Sequence, residues 1–369
     1  MILMNSWAKS NQTHNGGDMA KKKEVEKDTD KDSKVNKLDV AKETIRKKYG
    51  DVLKKMSDCG ELKIQTISTG SLGLDVALGR GGLARGRVYE FYGPPSGGKT
   101  TLAINTIAEA QRRGLVCCLA DVEHAADPQL FKAMGVNLDE LYLINDLIDG
   151  EDYVFAMEQA VKSGEIDVAI FDSITALLPK QESEADIDAD FYALLGRLMS
   201  KTLRRFIHII NETNTLLIFI NQMRDQMGVW GNPEKTTGGN ALPFYATGRI
   251  RVEGGETKSS RIVSATGEVI GHKTKFEIKK NKLAPPFRTH EINLIYGQGY
   301  DILGELLDLA TSVGIIDKSG AWYSYKGNKL GQGELNAKQK LQEDQALHDE
   351  IRNLLIEHTG LKKFYEQNI

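Results

Sequence analysis

Short apolar runs alternate with amphipathic segments along most of this chain. RVYEFYG (87–93), LVCCLADVE (115–123), VAIFD (168–172) and TLLIFINQ (215–222) are almost unbroken apolar stretches. Between them lie segments of helical period such as TLAINTIAEAQRR and DYVFAMEQAVKS. Continuous apolar strands separated by helices predict an α/β core, a mostly parallel sheet covered on both faces. GRIRVEG, TKFEIKKNK and HEINLIYG alternate apolar and polar positions, which predicts an antiparallel extension. After Gly297 come DILGELLDLATSVGII, an aromatic turn GAWYSYKGN and a helix around EIRNLLIEHTG, predicting a small C-terminal α/β domain.

The N-terminal pattern differs. LDVAKETIRKKYGDVLKKM (38–56) places Leu38, Ala41, Ile45, Tyr49 and Leu53 near one face of a helix, an apolar stripe that needs a partner. That partner is either the chain's own core or a neighbouring subunit. Residues 1–37, crowded with Lys, Asp and Glu, cannot bury enough apolar surface to order themselves. The domain plan is a charged tail (1–37), a helix and linker (38–65), the core (66–296) and the C-terminal domain (297–369). One internal stretch fits neither period: GVWGNPEKTTGGNALPF (Gly228–Phe244) holds four glycines and two prolines around Trp230, and predicts an irregular loop.

Composition narrows the classes little. The net charge of -3 means that an anionic partner must be met by local basic groups. Three cysteines, Cys59, Cys117 and Cys118, exclude a disulfide framework. Cys117 and Cys118 are adjacent on a strand, point to opposite faces and read as buried thiols of a reducing compartment. No apolar run approaches the roughly 18–20 residues of a membrane span, and the first residues lack a secretory pattern. The expected location is cytoplasmic.

The chemistry begins at GPPSGGKT (Gly93–Thr100), between a strand and a helix. Its spacing is that of a phosphate-binding loop, in which backbone N–H groups and a helix N-terminus face a nucleotide. Lys99 reaches the outer phosphates, and the Thr100 hydroxyl ligates Mg2+. Asp172 ends the apolar run VAIFD, where a carboxylate completes a metal site at the end of a neighbouring strand. Asp121 and Glu123 end another strand on one side; Glu123 is the candidate for orienting the attacking water, Asp121 a supporting group, and His124 reads as structural. Gln222, at the root of the glycine-rich loop, is placed to sense the γ-phosphate and pass its presence on.

TGSLGLDVALGRGGLARGRVYEFYGPPSGGKTTLA, ADVEHAADP, VAIFDSITALLPK, INQMRDQMGVWGNPEKTTGGNALPFYA, KKNKLAPPF and GAWYSYKGNKLGQG together resemble the bacterial-type RecA recombinases. The likeness runs from about Leu38 to Leu355, in order. It implies a RecA-like P-loop ATPase core, DNA-dependent hydrolysis of ATP with Mg2+, and a helical filament of identical subunits on single-stranded DNA. That filament pairs its strand with homologous double-stranded DNA and exchanges strands, in recombination and repair. By resemblance Gly93, Pro94, Pro95, Ser96, Gly97, Gly98, Lys99, Thr100, Thr101 and Asp127 cradle the nucleotide, and Lys280 and Lys282 reach it from the next subunit. Glu123, Lys99 and Gln222 match catalytic positions, and Thr100 and Asp172 the metal site. Two DNA-facing loops carry over, about 182–193 and 224–243, with candidate contacts Tyr192, Ala193, Arg197, Arg204, Arg224, Met227, Gly228, Trp230, Gly238, Gly239 and Asn240. The helix at Leu38–Met56 resembles the arm that packs on the adjacent subunit. The resemblance also implies mediator and single-strand-binding proteins as partners, and a co-protease role in an SOS-type response. The chain departs from the pattern where Leu130 stands in place of an aromatic after ADP, where Trp230 alone precedes GNPE, and where Pro243 takes a basic position.

Overall fold

A computed structural model describes residues 37–59, 64–184, 193–225, 234–255 and 257–366. The chain forms two units, one ending at Lys63 and one running from Ile64 onward. In the first, a helix (α1) spans residues 37–49. It stops seven residues before the expected Met56 because Gly50 adopts a left-handed backbone, φ 76°. Leu38 and Tyr49 are about 60% exposed, so the stripe faces solvent in the single chain.

The second unit opens with a ribbon, β1 (Thr66–Ile67) and β2 (Leu83–Ala84), around α2 (Leu72–Leu78). The core continues β3 (Val88–Gly93), α3 (Lys99–Gln111), β4 (Cys117–Asp121), α4 (Pro128–Ala133), β5 (Leu141–Ile144), α5 (Gly150–Lys162), β6 (Val168–Asp172) and α6 (Lys180–Ser183). Then come α7 (Leu194–Thr213), β7 (Leu216–Asp225), β8 (Glu234–Thr236), α8 (Ala241–Tyr245), β9 (Gly248–Gly254), β10 (Arg261–Val263), β11 (Val269–Asn281), β12 (Thr289–Ile295) and β13 (Gly299–Tyr300). The remainder holds α9 (Ile302–Ser312), a three-stranded sheet of β14 (Asp317–Ser319), β15 (Trp322–Tyr325) and β16 (Asn328–Gln332), α10 (Glu334–Glu343), α11 (Gln345–His358) and α12 (Lys362–Glu366).

The main sheet runs β13-β12-β11-β9-β3-β7-β6-β4-β5. From β9 to β5 the strands are parallel, as the apolar runs predict. GRIRVEG departs from its expected role: as β9 it lies parallel to β3, and the antiparallel part starts only at β11. Its alternation arises because one side meets the core and the other carries Arg249 and Arg251. Strand β5 is outside the expected set: its apolar run LYLI is only four residues long, and as an edge strand it is half-exposed. Two apolar layers cover the sheet. Leu102, Ile104 and Ile107 of α3 pack with Phe91, Leu119 and Ile218, while Phe206 and Met199 of α7 pack with Phe171 and Phe219. Cys117 lies in the first layer and Cys118 in the second, and burial pushes both thiols up to about 12.

The glycine-rich stretch is more ordered at its end than its composition suggests. Strand β7 runs three residues past Gln222 because β8 pairs with it, Met223 opposite Thr236, and α8 comes next. Residues 226–233 lie outside the described residues, with Met227, Gly228 and Trp230; so does Tyr192 of the first loop.

A third apolar cluster, including Leu307, Tyr323, Leu341 and Ile351, belongs to α9 and the elements C-terminal to it, and takes in Leu72 of α2. Two buried carboxylates tie it to the core. Glu305 of α9 accepts from the Ser71 hydroxyl and the Leu72 and Gly73 N–H groups at the start of α2. Asp75 accepts from Ser68, Thr69 and, across 2.8 Å, the hydroxyl of Tyr365 in α12. Burial pushes Asp75 up to about 6 despite these donors. Tyr365→Phe removes a donor to a buried carboxylate and is expected to cost about 1.5–3 kcal/mol at neutral pH, lowering the thermal midpoint by several degrees in a calorimetric scan. An unaltered midpoint would contradict the role given to this contact.

Candidate nucleotide and DNA site

The register of the parallel strands assembles the site. Gly93 at the end of β3 lies opposite Gln222 of β7, and Asp121 of β4 opposite Asp172 of β6. The ends of four adjacent strands therefore open onto one place, where ligands of such sheets bind.

Gly93 has φ 154°, and a Cβ there would lie 2.0 Å from the Val252 carbonyl, so only glycine lets the loop turn against β9. The loop Pro94–Gly98 then leads into α3, whose N-cap Gly98 has no capping side chain. Lys99 is the first residue of α3; its ammonium donates to the Gly93 and Pro94 carbonyls at 3.2 and 2.6 Å. Burial lowers its pKa, partly offset by Asp172 and Glu123. Thr100 donates its hydroxyl to Asp172 Oδ2 at 2.8 Å. Burial first, then the charges of Glu123 and Asp121, push Asp172 up to about 6. Mg2+ takes one or two protein oxygens and leaves the rest to phosphates and water. The glycine-lined turn, the Lys99 ammonium and the Thr100–Asp172 pair together fit a Mg2+–nucleotide.

Glu123 lies just past β4. Its Oε1 accepts from the Ser173 hydroxyl and, at 3.1 Å, from Gln222 Nε2. Asp121 accepts from the Ala125 and Ala126 N–H groups at 3.1 and 3.0 Å, holding the turn that presents Glu123. His124 occupies that turn with φ 51°. Asp127 caps α4 through the Gln129 N–H, and Leu130 lines the cleft beside the phosphate loop.

That cleft, about 280 Å³, lies between Ser96–Thr101 and the start of β11 and end of β12. Two lining residues escaped the sequence reading: His272 and Tyr296, joined by a 3.2 Å contact between Nδ1 and the hydroxyl. Neither belongs to a recognisable motif; the pairing of β11 with β12 brings them together. They put aromatic surface beside the aliphatic Leu130. Burial lowers the pKa of His272.

Lys280 and Lys282 turn their ammonium groups to the backbone of α8. Lys280 donates to the Pro243 and Phe244 carbonyls at 2.6 and 2.9 Å, and Lys282 to those of Phe244 and Tyr245 at 3.4 and 3.5 Å. Both occupy the C-terminal carbonyls of α8, which bear partial negative charge. Burial, then the charges of Lys282 and Arg249, lower the pKa of Lys280.

Among the described DNA candidates, Gly238 and Gly239 lie against the start of α7. Gly238 and Gly239 have φ 85° and 77°, and a Cβ on Gly239 would lie 3.5 Å from the Cα of Gly196 in α7. The end of the first loop and the return of the second therefore touch. Ala193 and Asn240 stand at the starts of α7 and α8, and Arg197 and Arg204 are exposed along α7. Arg224 lies on the backbone of β7.

Known proteins match this chain over nearly its whole described length. Residues 36–301 match the model of the RecA N-terminal domain and residues 304–360 that of the RecA C-terminal domain. The chain is 45% identical to Protein RecA of Bacillus thuringiensis (strain Al Hakam) over 328 residues, 88% of this chain and 94% of that protein. It is 45% identical to Protein RecA of Rhodospirillum rubrum over 340 residues, 91% of each chain. A solved RadB recombinase aligns at TM-score 0.48 and 21% identity, over 64% of this chain and 98% of that one.

Asp172 must be ionised to hold a metal, so its raised pKa sets where protons compete. Mg2+-dependent binding of a fluorescent ATP analogue is expected to be flat above pH 7. Below about pH 6 it should weaken by up to roughly tenfold per unit, over and above the analogue's own titration. Asp172→Asn, titrated in parallel, should bind more weakly and lack that extra pH step; identical profiles would exclude Asp172 from the metal site.

Proposed function

This chain belongs to the RecA family, whose members are recombinases of homologous recombination and DNA repair, and from that premise we propose how its own residues couple ATP to DNA. The family uses ATP with Mg2+ and acts on DNA as a filament. In our reading this chain polymerises on single-stranded DNA, hydrolyses ATP in response to that DNA, and exchanges the strand with a homologous duplex. The observation that carries the reading is the 3.1 Å hydrogen bond from Gln222 to Glu123. It joins the root of the second DNA loop to the carboxylate beside the phosphate loop.

Each residue then has a physical task. Backbone N–H groups of Pro95–Thr100, Pro95 itself excepted as a proline, and the start of α3 face the phosphates. Lys99 gives up the Gly93 and Pro94 carbonyls for the outer phosphates, and its partial burial strengthens that attraction. Thr100 and Asp172 hold Mg2+, which when bound neutralises the charge that develops on the phosphates. Glu123 orients a water and accepts its proton, with Ser173 fixing the carboxylate. When DNA draws the second loop away, Gln222 turns and Glu123 changes its partners.

The filament reading rests on two exposed apolar surfaces. One is the stripe on α1; the other lies around edge strand β5, where Tyr142, Ile148 and Phe155 are more than half exposed. A stripe of one subunit laid on the edge of the next is a head-to-tail contact, which generates an open helix. Lys280 and Lys282, parked on α8 in the single chain, are the groups that would turn to the neighbour's nucleotide, relieving their mutual repulsion.

Strand exchange between a labelled oligonucleotide and a homologous duplex, with ATP and Mg2+, tests the function against a heterologous control. Exchange with the homologous duplex alone is expected, and its absence would overturn the reading. In the same assay Glu123→Gln should keep ATP and DNA binding while turnover falls about 10²–10⁴-fold. Undiminished turnover would remove the role given to Glu123.

A further inference from the structure

Helix α7 carries more cationic surface than the two arginines matched to DNA contacts. Its buried face is Leu198, Met199, Thr202, Leu203, Phe206 and Ile210. On the opposite side Arg197, Lys201 and Arg204 are all exposed. Their spacing, four residues and then three, aligns them in one stripe. Arg205 does not join it, because it is ion-paired with Glu158 of α5 at 2.7 Å. Arg204 turns its Nε to the Ser200 carbonyl of its own helix at 3.1 Å. Among the described residues neither the Arg197 nor the Lys201 side chain has an ion-pair or hydrogen-bond partner.

The stripe starts one residue after Gly196, where α7 meets Gly238 and Gly239 and the two loops come together. At 1.5 Å of rise per residue, Arg197 to Arg204 spans about 10 Å. At roughly 3.4 Å per phosphate that length leaves two phosphates between those facing the arginines, at about 3.4 and 6.8 Å. Lys201, about 6 Å along the axis from Arg197, stands beside the second of them.

We propose that Lys201 is a third phosphate contact of the single strand, between Arg197 and Arg204. The proposal rests on the reading of α7 as a border of the DNA path. A lysine ammonium on its flexible stem acts as a point charge, without the fork that reads base edges. Lys201 therefore adds affinity that is independent of sequence and sensitive to salt.

The test is binding of a fluorescein-labelled oligothymidylate by the full chain, with a slowly hydrolysed ATP analogue and Mg2+, across a sodium chloride series. Lys201→Gln should lower the slope of log affinity against log salt by about 0.7 per bound chain, one phosphate contact on a single strand. Lys201→Arg should keep the slope. Because the Lys201 side chain is exposed on α7, both variants should bind the ATP analogue normally without DNA. An unchanged slope for Lys201→Gln, with lowered slopes for Arg197→Gln and Arg204→Gln, overturns the proposal and leaves the DNA reading of α7 intact. Unchanged slopes in all three overturn that reading itself.

Discussion

The parallel register of β3, β7, β6 and β4 is the constraint on which everything else depends. It sets Gly93 beside Gln222 and Asp121 beside Asp172, so that four strand ends bring together the glycine-rich loop, the Gln222 amide, the Asp172 carboxylate and the turn bearing Glu123. A slip of one residue would reverse every side chain across the sheet, exchanging the α3 layer for the α5 and α7 layer. The two apolar layers oppose such a slip: Cys117 and Cys118, or Ile170 and Phe171, each fit only the face they occupy.

Beneath the site lies a polar knot that apolar packing alone could not replace. Glu90, fully buried in β3, is paired with Arg249 of β9 and accepts from Asn221 Nδ2 at 2.9 Å. The same Asn221 amide donates to the Thr237 carbonyl at 3.0 Å, and Arg249 reaches Thr236 Oγ1 at 3.4 Å. These directional bonds decide where the chain lands as it returns from the second loop. Removing one partner would leave a buried charge uncompensated, a loss on the order of 3–5 kcal/mol. The knot anchors Asn221, the residue next to Gln222.

How legible this was from the sequence depends on the range of each interaction. The phosphate loop, Asp172 and Glu123 could be read because each sits at the end of its own apolar strand, a local pattern. Strand β5 could not, since its run LYLI is only four residues long and a run that short does not distinguish a strand from a helix segment. The reading carried α1 past Gly50 because helical spacing continues to Leu53, whereas the left-handed glycine ends the helix. The order of β8 and α8 was hidden by glycine and proline composition, because the strand residues that pair with β8 lie nine or more residues away. His272 against Tyr296, Tyr365 against Asp75, and Lys280 and Lys282 against α8 all depend on tertiary placement that no spacing encodes.

The central claim is that the Gln222–Glu123 contact carries the state of the DNA loop to the ATP site. The direct measurement is the rate of ATP hydrolysis by Gln222→Leu with and without saturating single-stranded DNA. The account predicts that hydrolysis without DNA stays near that of the native chain while stimulation by DNA is lost. A variant stimulated by DNA to the native ratio would contradict it.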